Sequence, residues 1–341
     1  MAGETILTGI TTTGTPHLGN YVGAIRPAIA SSGSNAGKNY FFLADLHALI
    51  KCQDPLKVRQ STLEIAATWL ALGLDTDAVV FYRQSDVPEI SQLTWLLTCV
   101  AAKGLLNRAH AYKDSVQKNI DEGQDPDYGI TMGLFSYPIL MAADILLFNA
   151  SKVPVGRDQI QHLEMTRDIA QRFNYLYGDH FVLPEAVVDD SVAVLQGLDG
   201  RKMSKSYGNT IPLFLDEKAL KKHINKIKTN LLEPGQPKDP ETSTVFQIWQ
   251  AFATAEQTLE MREEFAKGIA WGEAKKRLFE LVNDQLAAAR ERYNRLLQAP
   301  DHIEDVLQQG AAKARAVSAP CYARLRAAVG ISPLAADLAR K

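Results

Sequence analysis

Residues 39–44 read Asn-Tyr-Phe-Phe-Leu-Ala, an apolar run without polar alternation. A strand of this kind is buried on both faces, as in a parallel sheet covered by helices on each side. The flanking segments keep the matching rhythm. Thr5-Ile6-Leu7-Thr8-Gly9 predicts a first strand, followed by the polar turn Thr11-Thr12-Thr13-Gly14-Thr15-Pro16 and a helix from near Leu18. Residues 55–72 repeat apolar residues at helical spacing, opened by Pro55 and closed by Gly73. Residues 78–82 predict a third strand, and Pro88 opens the next helix. Alternating strands and helices define a doubly wound parallel-sheet, Rossmann-like α/β domain. Ligands of such sheets bind at the carboxyl ends of the strands.

That rule directs attention to the residues just after each strand. Beyond the first lies Pro16-His17-Leu18-Gly19-Asn20, where free amides of a helix start suit an anion and Gly19 lets a ligand approach the backbone. Beyond the second lies Asp45-Leu46-His47, and beyond the third Arg83-Gln84-Ser85. Far downstream, Arg201-Lys202-Met203-Ser204-Lys205-Ser206 sits between the turn formers Gly197-Leu198-Asp199-Gly200 and Tyr207-Gly208-Asn209. Two lysines three apart on a loop suit the charge that develops on a transferring phosphate. Taken singly, His17 reads as a helix-start residue and the lysine run as a solvated loop.

Composition sets bounds. At 341 residues the chain has room for two domains, and 46% hydrophobic with 22% charged residues is ordinary for a globular protein. Cys52, Cys99 and Cys321 form no Cys-x-x-Cys, so no disulfide framework or zinc site is expected. No leader-like start and no apolar run of about 18 residues is seen, so the cytoplasm is the expected compartment and no membrane is expected. Residues 207–341 carry 20 Lys+Arg against 17 Asp+Glu, and residues 1–206 carry 17 against 22. This mild asymmetry permits a basic patch in the second half.

Residues 137–148 read Tyr-Pro-Ile-Leu-Met-Ala-Ala-Asp-Ile-Leu-Leu-Phe, which sets Asp144 inside an apolar helix with Met141 and Phe148 on its face. A carboxylate there must be paired or hydrogen-bonded. It reads either as a structural cap or pair, or as an acceptor for one polar hydrogen of an apolar ligand. Val153-Pro154-Val155-Gly156 predicts a short strand that delivers Asp158 and Gln159 to the same rim.

The first-turn His-x-Gly-Asn, the downstream Lys-Met-Ser-Lys-Ser, Met-Ala-Ala-Asp-Ile-Leu and Val-Pro-Val-Gly-x-Asp-Gln together resemble the tryptophan branch of the class I aminoacyl-tRNA synthetases. The resemblance runs over nearly the whole chain. It implies that Asp144 accepts an indole N–H, that Met141, Leu7, Val153 and Val155 line the ring pocket, that Tyr137 and Gln159 hold the amino group, and that His47 closes the pocket. It implies ATP contacts from Thr11, Thr12, Thr13, Gly19, Asn20, Gly156, Arg157, Asp158, backbone near Val194, Met203, Ser204 and Ser206. Lys202 and Lys205 hold the pyrophosphate; with His17 and Asn20 they form the implied catalytic set. The family often has Gln-Pro-Ser where this chain has Thr11-Thr12-Thr13, an aromatic at Leu7, and a second lysine at Ser115. Lys113 then carries that phosphate charge alone, or Lys103 or Arg108 substitutes.

The implied reaction has two steps. The L-tryptophan carboxylate attacks the α-phosphate of ATP in line, and pyrophosphate leaves, with Lys202, Lys205 and Mg2+ neutralising charge. No carboxylate cluster suggests a metal cage, so magnesium is expected to ride on the phosphates. The acyl group then passes to the 2′-hydroxyl of the terminal adenosine of tRNA(Trp).

The implied organisation is a catalytic domain over residues 1–206, ending in the lysine loop, and an α-helical anticodon-binding domain over 207–341. Residues 101–135 read as an irregular insertion, which in the family packs on its twin in a homodimer. From Asp216 a helix sets Leu220, Ile224 and Ile227 against Lys218, Lys221, Lys222, Lys226 and Lys228, either a solvated face or a tRNA phosphate contact. Residues 232–243 read as a loop, 273–298 as a helix, and 313–328 as a last helix broken near Pro320. Two other classes stay open: a small-molecule adenylyltransferase, and a silent paralogue that binds RNA or tryptophan. Within the family the tyrosyl enzyme is the runner-up.

Overall fold

A computed structural model describes residues 4–33, 38–188 and 194–334, together with every side chain in them except that of Asp158. Five parallel strands form one sheet: β1 (Thr5–Thr11), β2 (Lys38–Ala44), β3 (Val80–Arg83), β4 (Lys152–Pro154) and β5 (Glu185–Val187). Their order across the sheet is β3-β2-β1-β4-β5. β1 pairs with β2 along its full length, Thr5 opposite Lys38 and Thr11 opposite Ala44. On its other side it pairs with β4, Ile6 opposite Lys152. The strand order therefore reverses at β1, and the crevice outside its carboxyl end is the place for a ligand. All of β2 except Lys38 is buried, as its unbroken apolar run predicts.

The first helix is composite. Leu18–Asn20 is α-helical, Tyr21–Ile25 is a π-turn, and Arg26–Ser32 is α-helical again. Pro27 explains the change: it has no N–H to donate back and its ring crowds the preceding turn. The wider turn lets the Arg26 N–H reach the carbonyl of Tyr21.

Two expectations are corrected. Residues 101–135 are not irregular: they hold the helices Lys103–Leu106 and His110–Asp121 and the start of Met132–Leu146. No residue of His110–Asp121 is buried, so core burial leaves no apolar stripe there to read. The last helix runs from Pro300 to Ala328, through Pro320. It is held by a long buried face, including Ile303, Leu307, Ala311, Ala314 and Leu325, so one missing N–H does not break it.

The core is shared between the two halves of the chain. Ala311, Ala314, Cys321 and Leu325 belong to the cluster built on β1, β2 and the helix Met132–Leu146. Leu18, Val22 and Met203 join the cluster of the later helices, with Phe246, Phe265 and Leu278. Residues 232–243 form a loop, and Ser243 caps the helix Thr244–Phe252 through the Phe246 N–H at 3.2 Å.

Candidate active site

At the end of β1 the chain turns through Gly14, whose φ of +68° suits glycine. His17 caps the next helix. Its Nδ1 accepts the Asn20 N–H at 3.3 Å, and its own N–H donates to Asn20 Oδ1 at 3.2 Å. Since Nδ1 accepts, the ring proton sits on Nε2, where it is a donor. Burial, and then the nearby Lys205 charge, lower the His17 pKa to about 4. The ring is therefore neutral at pH 7. A Cβ on Gly19 would stand 3.1 Å from that ring. The Thr12 hydroxyl is buried without a partner, while Thr11 is exposed and Thr13 half-buried.

The lysine loop is a folded hairpin. Gln196 bridges Lys202, and the Met203 N–H donates to the Leu195 carbonyl at 2.9 Å. Asn209 fastens it from inside: its Oδ1 accepts the Ser204 N–H at 2.8 Å, and its amide donates to Asp199 Oδ1 at 2.7 Å and to the Lys202 carbonyl at 3.1 Å. Gly197 is required beside it, because a Cβ there would lie 2.4 Å from the Asn209 side chain. Hydrogen bonds from Asn209 and Arg201 hold Asp199 down at about 2.

The loop rests on the first turn. The Gly19 N–H points to Met203 Sδ at 3.4 Å, and Lys205 Nζ donates to the Thr13 carbonyl across 192 positions of sequence. Although the Lys205 side chain is largely exposed, its ammonium tucks against Thr13 and Gly14, and this desolvation lowers its pKa. Lys202 is exposed, and Ser204 Oγ and Ser206 Oγ lie 2.8 Å apart.

The second part of the site lies between β1, β4 and the helix Met132–Leu146. Leu7 and Val153 are buried, and Met141 and Val155 are half-buried. Tyr137, Met141 and Asp144 are spaced to share one face of their helix. Tyr137 OH is hydrogen-bonded to His162 Nε2. Asp144 is 1% exposed, and burial raises its pKa while His47 and Gln84 oppose that. His47 Nε2 lies 2.9 Å from its Oδ2. Gln84 Nε2 lies 2.8 Å from Oδ1 and 3.0 Å from Oδ2. Gly156, Arg157 and Gln159 form the exposed rim beyond β4. The Asp158 side chain lies outside the described residues.

Two further expected nucleotide contacts are solvent-exposed. Lys113 is exposed on the helix His110–Asp121, and Val194 is 64% exposed. A cavity of about 420 Å³ is lined by Leu46, Leu49, Ile50, Thr94, Tyr137 and Leu140 among others. Of the candidate residues only Tyr137 lines it. The sequence pattern assigns no role to Gln84 or Asn209, though Gln84 follows the third strand and Asn209 ends the lysine loop.

The family model for class I tRNA synthetases (W and Y) matches residues 3–287. The tryptophan–tRNA ligase of Pseudomonas putida is 64% identical over 329 residues, 96% of this chain and 73% of that protein. The Neisseria meningitidis tryptophan–tRNA ligase is 57% identical over 335 residues, 98% of this chain and 100% of that protein. The crystal structure of the Campylobacter jejuni tryptophanyl-tRNA synthetase, complexed with ADP and tryptophan, superposes with a TM-score of 0.87 at 43% identity, covering 96% of this chain and 99% of that one. The chain belongs to the class I tRNA synthetases of the tryptophan and tyrosine group.

Proposed function

We infer that the chain is a tryptophan–tRNA ligase. It activates L-tryptophan with ATP and passes the acyl group to tRNA(Trp). One observation carries the reading of the chemistry: the lysine loop and the first strand–helix turn, remote in sequence, meet where Lys205 reaches the Thr13 carbonyl. A triphosphate laid in the crevice at the end of β1 would meet neutral His17, its capping partner Asn20, and the amines of Lys202 and Lys205 together.

The tryptophan carboxylate is already a nucleophile at pH 7, so the first step needs no general base. Its attack on the α-phosphate forms the adenylate, and pyrophosphate leaves against Lys202 and Lys205. Positioning and charge neutralisation supply most of the acceleration. The His17 Nε2–H is a fixed donor for a phosphoryl oxygen. Thr11, Thr12, Thr13, Gly19, Gly156, Arg157, Asp158, Met203, Ser204 and Ser206 would complete the ATP site, with backbone near Val194 against the adenine and Lys113 reaching a phosphate. Among the described residues no group of three or more His, Cys, Asp or Glu could hold a metal. Magnesium would enter on the ATP phosphates and neutralise their charge.

Asp144 would accept the indole N–H, with Leu7, Met141, Val153 and Val155 around the ring, Tyr137 and Gln159 at the amino group, and His47 closing the pocket. A site built to bond an N–H rejects a side chain without one far better than a size filter does. This separates tryptophan from phenylalanine, and pocket shape adds to the rejection of tyrosine. The acyl group would go to the 2′-hydroxyl of the terminal adenosine.

Residues 1–206 would form the catalytic domain and 207–341 the anticodon-binding one. Lys218, Lys221, Lys222, Lys226 and Lys228 are all exposed over the buried Leu220, Ile224 and Ile227, which supports a role on tRNA phosphates. Trp95, Tyr128 and Met132 are 67%, 66% and 72% exposed, and such exposed large apolar side chains support a homodimer. Among the described residues no helix is long and apolar enough to cross a membrane. Charging of tRNA(Trp) transcript with labelled tryptophan tests the whole reaction: the ester forms with tryptophan and not with tyrosine. A tyrosyl ester on tRNA(Tyr) would replace this reading with its runner-up.

A further inference from the structure

Gln84 is fully buried, and its side-chain oxygen and nitrogen both have partners. It is the first residue after β3. Its Oε1 accepts the Leu46 N–H at 3.1 Å, and its Nε2 donates to both oxygens of Asp144, at 2.8 and 3.0 Å. A backbone N–H can only donate, so the amide oxygen must face Leu46 and the amide nitrogen must face Asp144. The orientation of Gln84 is fixed by chemistry, and Asp144 is held as an acceptor.

The turn carrying Gln84 is stapled to the turn carrying His47. The Ser85 N–H donates to Asp45 Oδ1 at 3.0 Å, its hydroxyl donates to Asp45 Oδ2, and the same Oδ1 accepts the Leu46 N–H at 3.1 Å. The two turns therefore bring Gln84 and His47 to one carboxylate as a unit. A carboxylate offers about four lone-pair positions. Gln84 takes one on each oxygen, and His47, 2.9 Å away, takes a second on Oδ2. Oδ1 keeps one.

We propose that Gln84 is a specificity-determining positioning residue, which pins the Asp144 carboxylate so that the remaining Oδ1 lone pair is presented to the indole N–H of tryptophan. The proposal rests on the reading of Asp144 given above. Without the amide the carboxylate turns about its last bond. It also gains a proton more readily, because burial favours the neutral acid and one opposing hydrogen bond is gone. Either change costs tryptophan binding and leaves ATP binding alone.

The test compares tryptophan with 3-(3-benzothienyl)alanine, which has sulfur in place of the ring N–H. ATP–pyrophosphate exchange is measured with each, for the wild type, Gln84→Leu and Gln84→Glu. Gln84→Glu keeps the size of the side chain and its acceptor for Leu46, so it carries the test should Gln84→Leu not fold. The wild type strongly prefers tryptophan. In the variants kcat/KM for tryptophan falls roughly 10- to 100-fold, through KM, as expected for a hydrogen bond to a charged group. For the benzothienyl compound it changes by less than about threefold, and KM for ATP is unchanged. An equal loss for both amino acids makes Gln84 merely structural and overturns the proposal, as does no loss for either. A wild type that accepts both compounds equally overturns the Asp144 reading and the proposal with it. Preserved discrimination in both variants, with discrimination in the wild type, overturns the proposal alone.

Discussion

Gly310, in the last helix, lies against the backbone of Phe81 in edge strand β3: a Cβ placed on Gly310 would stand 1.6 Å from the Phe81 carbonyl oxygen. Only glycine lets the helix approach this closely, and the contact covers an edge that would otherwise be exposed. An ion pair from Arg83 to Glu304 at 2.8 Å secures the same seam, and one from Arg315 to Glu89 at 3.1 Å ties the last helix to the helix Pro88–Thr98. The last helix is thereby fastened to the strand whose end carries Gln84.

Gly310→Ala tests this packing by the sign of its effect. Helix propensity alone favours alanine by about 1 kcal/mol. The clash with backbone outweighs it, and urea denaturation is expected to show a net loss of about 3 kcal/mol. A neutral or stabilising substitution would mean that the helix does not sit on β3.

Asn209→Ala unfastens the lysine loop. The Ser204 N–H loses its acceptor and Asp199 loses a donor. The expected result is a stability loss of about 2 kcal/mol together with a higher KM for ATP. Loss of stability with unchanged ATP kinetics would limit Asn209 to the fold.

His17 makes stability depend on pH in a defined direction. Its pKa is near 6.5 in the unfolded chain and about 4 in the folded one. Between those values the unfolded state binds the extra proton, so stability is full above pH 6.5 and falls as the pH drops towards 4. The span is worth about 3 kcal/mol. Denaturation at pH 7.5 and 4.5 should show a smaller difference in His17→Gln than in the wild type. Equal differences would mean that the imidazole is not held neutral.

Lys205→Ala removes the amine that meets the first turn. The rate of adenylate formation is expected to fall roughly 100- to 1000-fold. Tryptophan affinity by calorimetry should stay within about twofold, since Lys205 reaches the Thr13 carbonyl while Asp144 is held by His47 and Gln84 and Tyr137 by His162. An unchanged rate would take the loop out of the chemistry.

The first four strands were legible because each is short, largely apolar and bounded by turn residues; β5 was not, because Glu185–Val187 is three exposed residues with no apolar run. The first strand is longer than its apolar run: Ile10 and Thr11 continue it through pairing with Leu43 and Ala44, a contact that local pattern does not contain. His17, Asp144 and the two lysines stood out as polar groups at odds with their surroundings or at strand ends. Gln84 did not, because an uncharged amide after a strand is common and its partners come from residues 46 and 144. The helix His110–Asp121 was hidden because none of its residues is fully buried, and the course of the last helix through Pro320 because tertiary packing overrides the proline.

The central claim is the activation of tryptophan at the β1 crevice. ATP–pyrophosphate exchange without tRNA, run with each amino acid in turn, tests it most directly. Exchange driven by tryptophan, lost in Lys205→Ala and relaxed towards phenylalanine in Asp144→Ala, is the predicted result. Exchange driven by tyrosine, or by no amino acid at all, would contradict it.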